Sequence, residues 1–376
     1  MPSGNREGLY FVTMANRVER LAERIGETGA DAFIAWDPVT MGYLLGFHEN
    51  AHERFLALAI SAKGEVRLIC PALTESQARR IGIQDIRPWK DGEDPMGHFF
   101  ELARDWNLKS AIIAVDAVLP ARQLLKMQDW LPAALFKDGE SIVASLMSRK
   151  EPEEIDRLRK AGAVADETFL EVFPKIRAGQ TERQIEKMLN DGMTARGGTP
   201  AFAIVAAGAN AAEPHHLSDD TVLKTGDTLI LDFGCERQGY ISDITRTVSV
   251  GPASDSAKEM YDLVYRAHMA ARKAIRPGVP ANSIDKAARD VIVAGGAGEA
   301  FFHRTGHGIG MQGHEHPYIN DSNSEPLEPG NCFSIEPGVY FAGELGIRIE
   351  NIVAVTEDGH ESMNAEPSPT LLETGG

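Results

Sequence analysis

Cysteine is scarce in this chain, and the three that are present form no pattern. Cys70, Cys235 and Cys332 lie far apart, are odd in number and include no pair at the CxxC spacing of zinc and redox motifs. This excludes an extracellular scaffold held together by disulfides. Each cysteine sits in an apolar, strand-like segment, so we expect three buried free thiols in a reducing cytosol.

Basic residues and long apolar runs are also in short supply. The chain has 38 Lys and Arg against 55 Asp and Glu, a formal net charge of −17. So acidic a balance argues against binding to nucleic acid or to an anionic membrane surface, since both need clustered cations. No apolar run approaches the roughly 18 residues of a membrane span, and the patch at residues 9–12 is too short for a signal-peptide core. We therefore expect a cytoplasmic protein with no membrane partner.

The chain has the length and composition of a two-domain enzyme. Its 376 residues exceed what one core accommodates comfortably, and 43% of them are hydrophobic and 25% charged. Strand and helix patterns alternate over the first part of the chain, which is typical of a layered α/β domain. The charged stretch at residues 148–156, with Pro152 at a predicted helix start, indicates a boundary. We predict one domain over residues 10–147 and a second over residues 148–376.

A β-hairpin at residues 227–250 carries two aspartates. Two apolar runs flank a polar turn that contains a glycine. A turn centred between residues 237 and 238 would place Asp232 directly opposite Asp243, and like charges so paired destabilise a sheet. Two facing carboxylates in an apolar ribbon therefore require a cation between them. The alternative is that one aspartate lies in solvent and the other caps a turn.

A second hairpin near the end of the chain repeats this arrangement. Strands are predicted over residues 331–341 and 346–356, and Glu336 and Glu350 are symmetric about the intervening Gly343. These glutamates can also face one another, although a slipped register would move one of them to the other face of the ribbon. Four carboxylates in one pocket carry more negative charge than burial tolerates without divalent cations.

The segment between the hairpins offers a nitrogen ligand. His307 lies between two glycines, where the backbone can approach closely and the imidazole can point inward. Without the four carboxylates, such a histidine would be an ordinary loop residue. With them it completes an oxygen-rich site with room for two ions, for which Mn²⁺ is well suited and Co²⁺ and Zn²⁺ are alternatives. Two ions roughly 3.5–4 Å apart can bridge a water, lower its pKa and polarise a carbonyl, the chemistry of metal-assisted amide hydrolysis.

These motifs resemble those of a known family. The resemblance rests on the segments PHH, LDFGCERQGYISDITRT, HRTGHGIGMQGHEHP, SIEPGVY and GIRIEN, which are similar to those of the metal-dependent pita-bread peptidases, the group of prolidase, aminopeptidase P and methionine aminopeptidase. It is strong over residues 150–360, and the residues before about 145 look like a creatinase/prolidase-type N-terminal domain. It implies an α/β (α+β) fold class: a creatinase-like α/β domain, then a pita-bread catalytic domain with a mostly antiparallel curved sheet and flanking helices.

The resemblance also implies roles for individual residues. It implies five metal ligands: Asp232, Asp243, His307, Glu336 and Glu350. Asp243 and Glu350 would bridge two divalent ions, and Glu336 would also accept the proton of the attacking water. It further implies three residues that contact the substrate or support the reaction: His215, His314 and Arg348.

Some side chains near these motifs are expected to support the site without reacting. His216 and His303 are interpreted as structural residues. Thr245 shares a strand face with Asp243 and is a candidate hydrogen-bond partner for the ligands. Arg348 either supports the ligands and the transition state or only balances the carboxylate charge.

The substrate is expected to be a small Xaa-Pro peptide. Family members of this layout that retain their metals cleave the bond before proline, an amide that lacks an N–H and so needs a dedicated pocket. The short spacing of Glu336 and Glu350 resembles that of prokaryotic prolidases (Xaa-Pro dipeptidases). Several of those enzymes carry Arg after the HE-x-P motif where this chain has Tyr318, which keeps Xaa-Pro aminopeptidase (aminopeptidase P) as the alternative.

The same resemblance raises two other functions, which the ligand set argues against, and one protein partner. Creatinase, a metal-free amidinohydrolase of the same layout, lacks the full ligand set that is present here. A non-enzymatic binding module would be expected to have broken ligands, and none is broken. Family members are commonly homodimers, so a second copy of the chain is the expected protein partner.

Overall fold

The computed structural model describes the backbone of residues 4–50 and 52–375 and, within those ranges, the side chains from residue 16 onward. The chain divides into two compact units after Met147. Across the described residues, no helix is both long and apolar enough to cross a membrane. The three cysteines are buried and free, as predicted.

The first unit alternates helices and strands. Its elements are, in chain order, α1 (Gly4–Glu27), β1 (Ala32–Ala35), α2 (Pro38–Leu45), β2 (Ala57–Ser61), β3 (Val66–Pro71), α3 (Glu75–Arg80), β4 (Ile86–Trp89), α4 (Met96–Asp105), β5 (Ile112–Val115), α5 (Ala121–Trp130), β6 (Leu135–Asp138) and α6 (Glu140–Met147). The strands form one mixed sheet in the order β4-β3-β2-β1-β5-β6. A core that includes Ile34, Ile69, Phe99 and Ile113 lies between this sheet and α4.

The second unit carries longer helices and three sheets. Its elements are α7 (Pro152–Val172), α8 (Glu182–Ala195), β7 (Thr199–Ala207), β8 (Thr228–Arg237), β9 (Tyr240–Ile241), β10 (Ile244–Ser249), α9 (Asp255–Ala274), α10 (Ala281–Ala294), β11 (Gly306–Gly308), β12 (Glu315–Ile319), β13 (Cys332–Ile335), β14 (Gly338–Phe341), β15 (Leu345–Arg348), β16 (Asn351–Val355), β17 (His360–Ser362) and β18 (Leu372–Glu373). One sheet has the order β18-β10-β8-β7 with β9 on β8, a second has the order β12-β11-β13-β16-β17, and β14 pairs with β15. All these pairings are antiparallel except that of β10 with β18.

Helix pairs cover one face of each larger sheet in the second unit. Leu231 and Phe233 of β8 belong to a core with residues of α7 and α8. Phe333 and Ile335 of β13 belong to a core with residues of α9 and α10. Because side chains alternate along a strand, Asp232 on β8 points away from its helices. By the same alternation, polar side chains of the β13 segment point away from α9 and α10. Both sheets therefore have polar groups on the face opposite their helices.

Candidate metal centre

The first hairpin turns one residue later than the sequence predicts. Gln238 and Gly239 both have positive φ, 55° and 81°, which is the signature of a two-residue type I′ turn. In the resulting register Asp232 lies opposite Thr245, so the expected direct opposition of Asp232 and Asp243 is wrong. The strand partner of Asp232 is therefore Thr245, two residues beyond the predicted partner Asp243. Because the shift is an even number of residues, Asp243 stays on the same face as Asp232, at the diagonal position.

The second hairpin has the predicted register, but both of its strands are interrupted at the glutamates. The pairings of β13 with β16 and of β14 with β15 follow one register, in which Glu336 is the counterpart of Glu350. Glu336 lies between β13 and β14, and Glu350 between β15 and β16. The interruption frees their N–H groups: that of Glu336 donates to the Thr305 carbonyl at 2.8 Å and that of Glu350 to the Thr245 carbonyl at 3.1 Å. The second bond joins the two hairpins.

Strand β11 brings His307 to the same place because glycines flank it. A Cβ on Gly306 would lie 1.9 Å from the carbonyl oxygen of Ser334, and one on Gly308 would lie 2.2 Å from that of His316. Neither position therefore tolerates a side chain. The predicted reason for the glycines, close approach of the backbone, is confirmed.

The His307 ring presents one nitrogen to the carboxylates. Its Nδ1 lies 3.1 Å from the carbonyl oxygen of Gly308 and donates to it, which leaves a lone pair on Nε2. Nε2 lies 3.3 Å from Oε1 of Glu336 and 3.8 Å from Oδ2 of Asp243. Burial is the main cause that lowers the pKa of His307 to about 4. The imidazole is thus neutral near pH 7, the form that binds metal ions.

The carboxylates of this pocket are buried and incompletely satisfied. Within the described part of the chain, Oδ1 of Asp232, Oδ1 of Asp243 and Oε1 of Glu350 are buried without a hydrogen-bond partner. Burial and then the charges of Glu350 and Asp232 raise the pKa of Asp243 well above its usual range. Burial and then the charges of Glu336 and Asp232 do the same for Glu350. Both shifts express mutual repulsion of negative charges in a desolvated pocket.

A divalent cation fits this donor set. Ligand atoms of Asp243, His307 and Glu350 all lie within 4.8 Å of one another. Unpaired buried carboxylate oxygens and a neutral imidazole are the donors that Mn²⁺, Co²⁺ and Zn²⁺ accept. A bound cation would satisfy the oxygens and cancel the repulsion that burial amplifies.

Arg348 connects three residues at one side of the carboxylates. Its Nη2 donates to Oδ2 of Asp232 at 2.6 Å, its Nη1 to the Tyr340 hydroxyl at 2.8 Å and its Nε to Oγ1 of Thr245 at 3.1 Å. The Thr245 hydroxyl in turn donates to Oε2 of Glu350 at 2.7 Å. A continuous chain of hydrogen bonds therefore links Asp232 to Glu350, with Thr245 in the place that the sequence pattern suggested.

The sequence pattern did not single out Tyr340. Its hydroxyl accepts from Arg348 and lies 3.0 Å from Nε2 of His303. Gly338, two residues earlier on β14, is the strand partner of Arg348. The strand period of two therefore places Tyr340 and Arg348 on one face. Because the register of this hairpin was predicted correctly, the contact of Tyr340 with Arg348 could have been predicted from it.

Of the histidines expected to contact the substrate, the structure places His314 beside His307. The ring centroid of His314 lies 3.9 Å from that of His307. Burial and then the charge of His307 lower the pKa of His314 to about 4, and the charge of His215 acts in the same direction. His216 instead contacts Glu182, with 2.7 Å between its Nε2 and Oε2 of the glutamate.

Comparison with known proteins identifies the family of this chain. The family model of metallopeptidase family M24 matches residues 156–357, and that of the creatinase/prolidase N-terminal domain matches residues 17–146. The crystal structure of dipeptidase PepE from Mycobacterium ulcerans is similar at 37% identity and a TM-score of 0.91, covering 96% of this chain and 98% of that one. An Xaa-Pro dipeptidase from Lactobacillus helveticus is 35% identical, covering 92% of this chain and 96% of the relative. X-Pro aminopeptidase from Thermotoga maritima is 32% identical with a TM-score of 0.82, covering 95% and 99%.

These similarities span nearly the whole chain and the whole of each relative. They confirm the fold class predicted from the motifs, an α/β N-terminal region followed by a pita-bread region with mostly antiparallel sheets. Membership of a metallopeptidase family also accounts for a pocket of buried carboxylates that requires a divalent cation. The chain is a metallopeptidase and belongs to family M24, with a creatinase/prolidase-type N-terminal domain.

Proposed function

We propose that the protein is an Xaa-Pro dipeptidase, a prolidase-type enzyme that hydrolyses the bond before proline. The observation that carries the proposal is the convergence of Asp232, Asp243, His307, Glu336 and Glu350 on one pocket with unpaired buried oxygens. Relatives named as dipeptidase and as Xaa-Pro dipeptidase support the substrate class.

Two divalent ions, Mn²⁺ in our proposal, would be held by these five residues. By the resemblance to the family, Asp243 and Glu350 would be shared by both ions, and each has a buried oxygen without a hydrogen-bond partner among the described residues. Asp232 would bind one ion, and His307 and Glu336 the other. When bound, the ions would supply Lewis acidity toward the substrate carbonyl and an acidified water.

The remaining residues would orient the substrate and move the proton. Glu336 would accept the proton of the attacking water, since its side chain is 16% exposed and its Oε1 lies 3.3 Å from Nε2 of His307. His215 and His314 would donate hydrogen bonds to the substrate and the developing oxyanion. Arg348 would hold Asp232 and Thr245 in place through its forked hydrogen bonds.

The position of Arg304 favours a dipeptidase over an aminopeptidase. The guanidinium of Arg304 lies over the ring of Tyr318 with 4.7 Å to its centroid, and its Nη2 lies 3.2 Å from Nδ1 of His314. The positive charge of Arg304 therefore lies beside Tyr318, the position at which several prolidases carry Arg. Such a cation suits the free carboxylate of a dipeptide. Xaa-Pro aminopeptidase remains the second candidate, supported by the Thermotoga relative.

Hydrolysis of Ala-Pro and Ala-Pro-Ala by protein purified without chelator tests the proposal. A dipeptidase that needs divalent metal turns over Ala-Pro, gains activity with added Mn²⁺ or Co²⁺ and leaves the tripeptide nearly intact. Clear turnover of Ala-Pro-Ala would show an aminopeptidase instead. Elemental analysis with fewer than about one divalent metal per chain, combined with no gain on metal addition, would contradict any dinuclear peptidase.

Assembly, location and domain limits complete the proposal. We place the domain boundaries at residues 10–147 and 148–376, a division supported by the compact units on either side of Met147. A homodimer is proposed from the family, and light scattering of the full chain tests it. A cytoplasmic location is supported by the three buried free thiols, which suit a reducing compartment.

A further inference from the structure

The loop that carries His215 is anchored by one buried carboxylate. This loop connects β7 to β8 and contains a short 3₁₀ helix, Gly208–Ala212. Glu182, the first residue of α8, is buried beneath it, with a side chain that is 0% exposed. A buried carboxylate at this position is costly unless donors surround it.

Four donors surround Glu182, and each belongs to the end of β7 or to the loop. Oε1 accepts from the N–H of Ala207 at 2.8 Å and from Nδ2 of Asn210 at 3.0 Å. Oε2 accepts from the N–H of Asp219 at 3.0 Å and lies 2.7 Å from Nε2 of His216. The carboxylate thus binds the end of β7, the start of the loop, Asp219 near its middle and His216, the residue next to His215.

Backbone hydrogen bonds from the same helix end fix the far side of the loop. The N–H of Glu182 donates to the Thr221 carbonyl at 3.1 Å, and that of Arg183 donates to the Asp219 carbonyl at 3.2 Å. Asn210 also donates to Oγ1 of Thr221 at 3.1 Å. The N-terminus of α8 therefore contacts several points of the loop, and the Glu182 side chain also contacts His216.

The same residues could be taken for a second metal site. Ligand atoms of Glu182, His216 and Asp219 lie within 4.8 Å of one another. However, both oxygens of Glu182 already accept N–H groups, and Oδ1 of Asp219 accepts the N–H of Thr221 at 2.7 Å. This contrasts with the unpaired oxygens of Asp243 and Glu350. The hydrogen bonding favours an anchor over a metal site.

We propose that Glu182 and His216 are positioning residues that hold His215 in its place for the reaction. The proposal rests on the proposed function, because it assumes that His215 contacts the substrate. His216 is the neighbour of His215 in the chain. Its side chain contacts Glu182 and is only 10% exposed. Loss of the carboxylate would therefore free His215 while leaving the metal ligands, which lie on other elements, untouched.

Glu182→Gln is the main test, with Glu186→Gln as the control. A Gln side chain can accept on its oxygen only, so its NH₂ group would face two of the four donors. Glu186 lies one turn further along α8 and undergoes the same chemical change. His216→Gln alters one contact to Glu182, and Asn210→Ala removes the bonds of Asn210 to Glu182 and to Thr221. Both variants serve if Glu182→Gln does not fold.

Three measurements decide the proposal. Hydrogen exchange should become faster across residues 207–221 in Glu182→Gln but not in Glu186→Gln. The kcat for Ala-Pro should fall roughly 10- to 100-fold, because misplacing a reacting group by about 1 Å has effects of this size, while the metal content stays unchanged. In the background of His215→Ala, Glu182→Gln should cause no further loss, since both changes remove the same interaction.

Each contrary result has a distinct meaning. Unchanged exchange in Glu182→Gln would overturn the anchor. Losses that multiply in the Glu182→Gln, His215→Ala double variant would show that Glu182 does not act through His215. Loss of bound metal in Glu182→Gln would show a metal site instead of an anchor. Wild-type protein that does not cleave Ala-Pro would overturn the proposed function, and the exchange comparison would still decide whether Glu182 anchors the loop.

Discussion

The backbone N–H of Glu350 donates to the carbonyl oxygen of Thr245 at 3.1 Å, and the Thr245 hydroxyl donates back to Oε2 of Glu350 at 2.7 Å. These two bonds join the second hairpin to the first at the residues that face the candidate metal centre. The carboxylates of the two hairpins are therefore held in one frame by main-chain and side-chain contacts. Changes to this frame have measurable consequences.

Asp243→Asn should abolish metal binding and activity together. We expect Xaa-Pro hydrolysis to fall more than about 100-fold, since even residues behind the ligands of a metal site contribute 10–100-fold. Metal-free Asp243→Asn should be at least as stable as metal-free wild type, because the change removes one of several repelling buried charges. Elemental analysis, steady-state kinetics and melting temperatures in chelator check these outcomes. Exposed Asp220→Asn is the control, and full activity of Asp243→Asn would refute the ligand assignment.

Thr245→Val should weaken metal binding without removing a ligand. The variant loses the hydroxyl that donates to Glu350 and accepts from Arg348, and losses of this kind lower metal affinity about 10- to 100-fold. Thr228→Val on β8 is the matched control, because the Thr228 hydroxyl is buried without a hydrogen-bond partner among the described residues. Metal affinity is measured by competition with a chromogenic chelator. Equal affinities for the two variants would contradict this role of Thr245.

Metal should stabilise the protein against heat. A cation that binds only the folded state at about 100 times its Kd adds about 2.7 kcal/mol, which corresponds to a rise in Tm of roughly 5–10 °C for a unit of this size. Calorimetry with Mn²⁺ and with chelator measures the difference. In the Asp243→Asn variant, added Mn²⁺ should raise the Tm only slightly. A wild-type Tm that does not respond to Mn²⁺, Co²⁺ or Zn²⁺ would argue against the site.

Arg348→Lys should impair catalysis although the positive charge is retained. The guanidinium makes three hydrogen bonds in different directions, and an ammonium group cannot reproduce this planar fork. Each lost bond to a charged partner is worth about 1.5–3 kcal/mol, so kcat should fall by at least about tenfold. Arg266→Lys on the surface of α9 is the control, where Arg266 pairs with Asp262. An Arg348→Lys enzyme with wild-type kinetics would indicate that charge balance alone is needed.

His268 should make stability depend on pH. Burial lowers the pKa of this imidazole on α9 to about 3, against the usual 6.5. Between these values the unfolded chain binds a proton that the folded chain does not, so stability falls as pH is lowered through this window by up to about 1.4 kcal/mol per pH unit. In His268→Phe the Tm, measured in chelator from pH 7 to pH 4, should fall less steeply than in wild type. His98→Phe in the first unit is the control, and equal slopes for His268→Phe and wild type would contradict the prediction.

The glutamate pair shows what could be predicted from sequence and why. Gly343 lies at the centre of a short polar turn, and Glu336 and Glu350 were placed opposite one another by symmetry about it, as the observed register has them. The aspartate pair was misplaced because the turn depends on Gln238 adopting a positive φ of 55°. Non-glycine residues seldom do so. The local signal for the observed centre was Gly239, because a two-residue type I′ turn prefers glycine at its second position.

The sequence by itself determined which residues are available for the site and which strand faces they occupy. Periods of two along the strands, glycines on both sides of His307 and the order of the five candidate ligands are local features, so they can be read from the chain. Only the tertiary structure decided which groups meet. The bond from Glu350 to Thr245, the fork of Arg348 to Asp232 and Tyr340 and the anchor of His216 on Glu182 join residues that are distant in sequence. Such contacts depend on how the sheets and helices pack together, and that packing has no local signature.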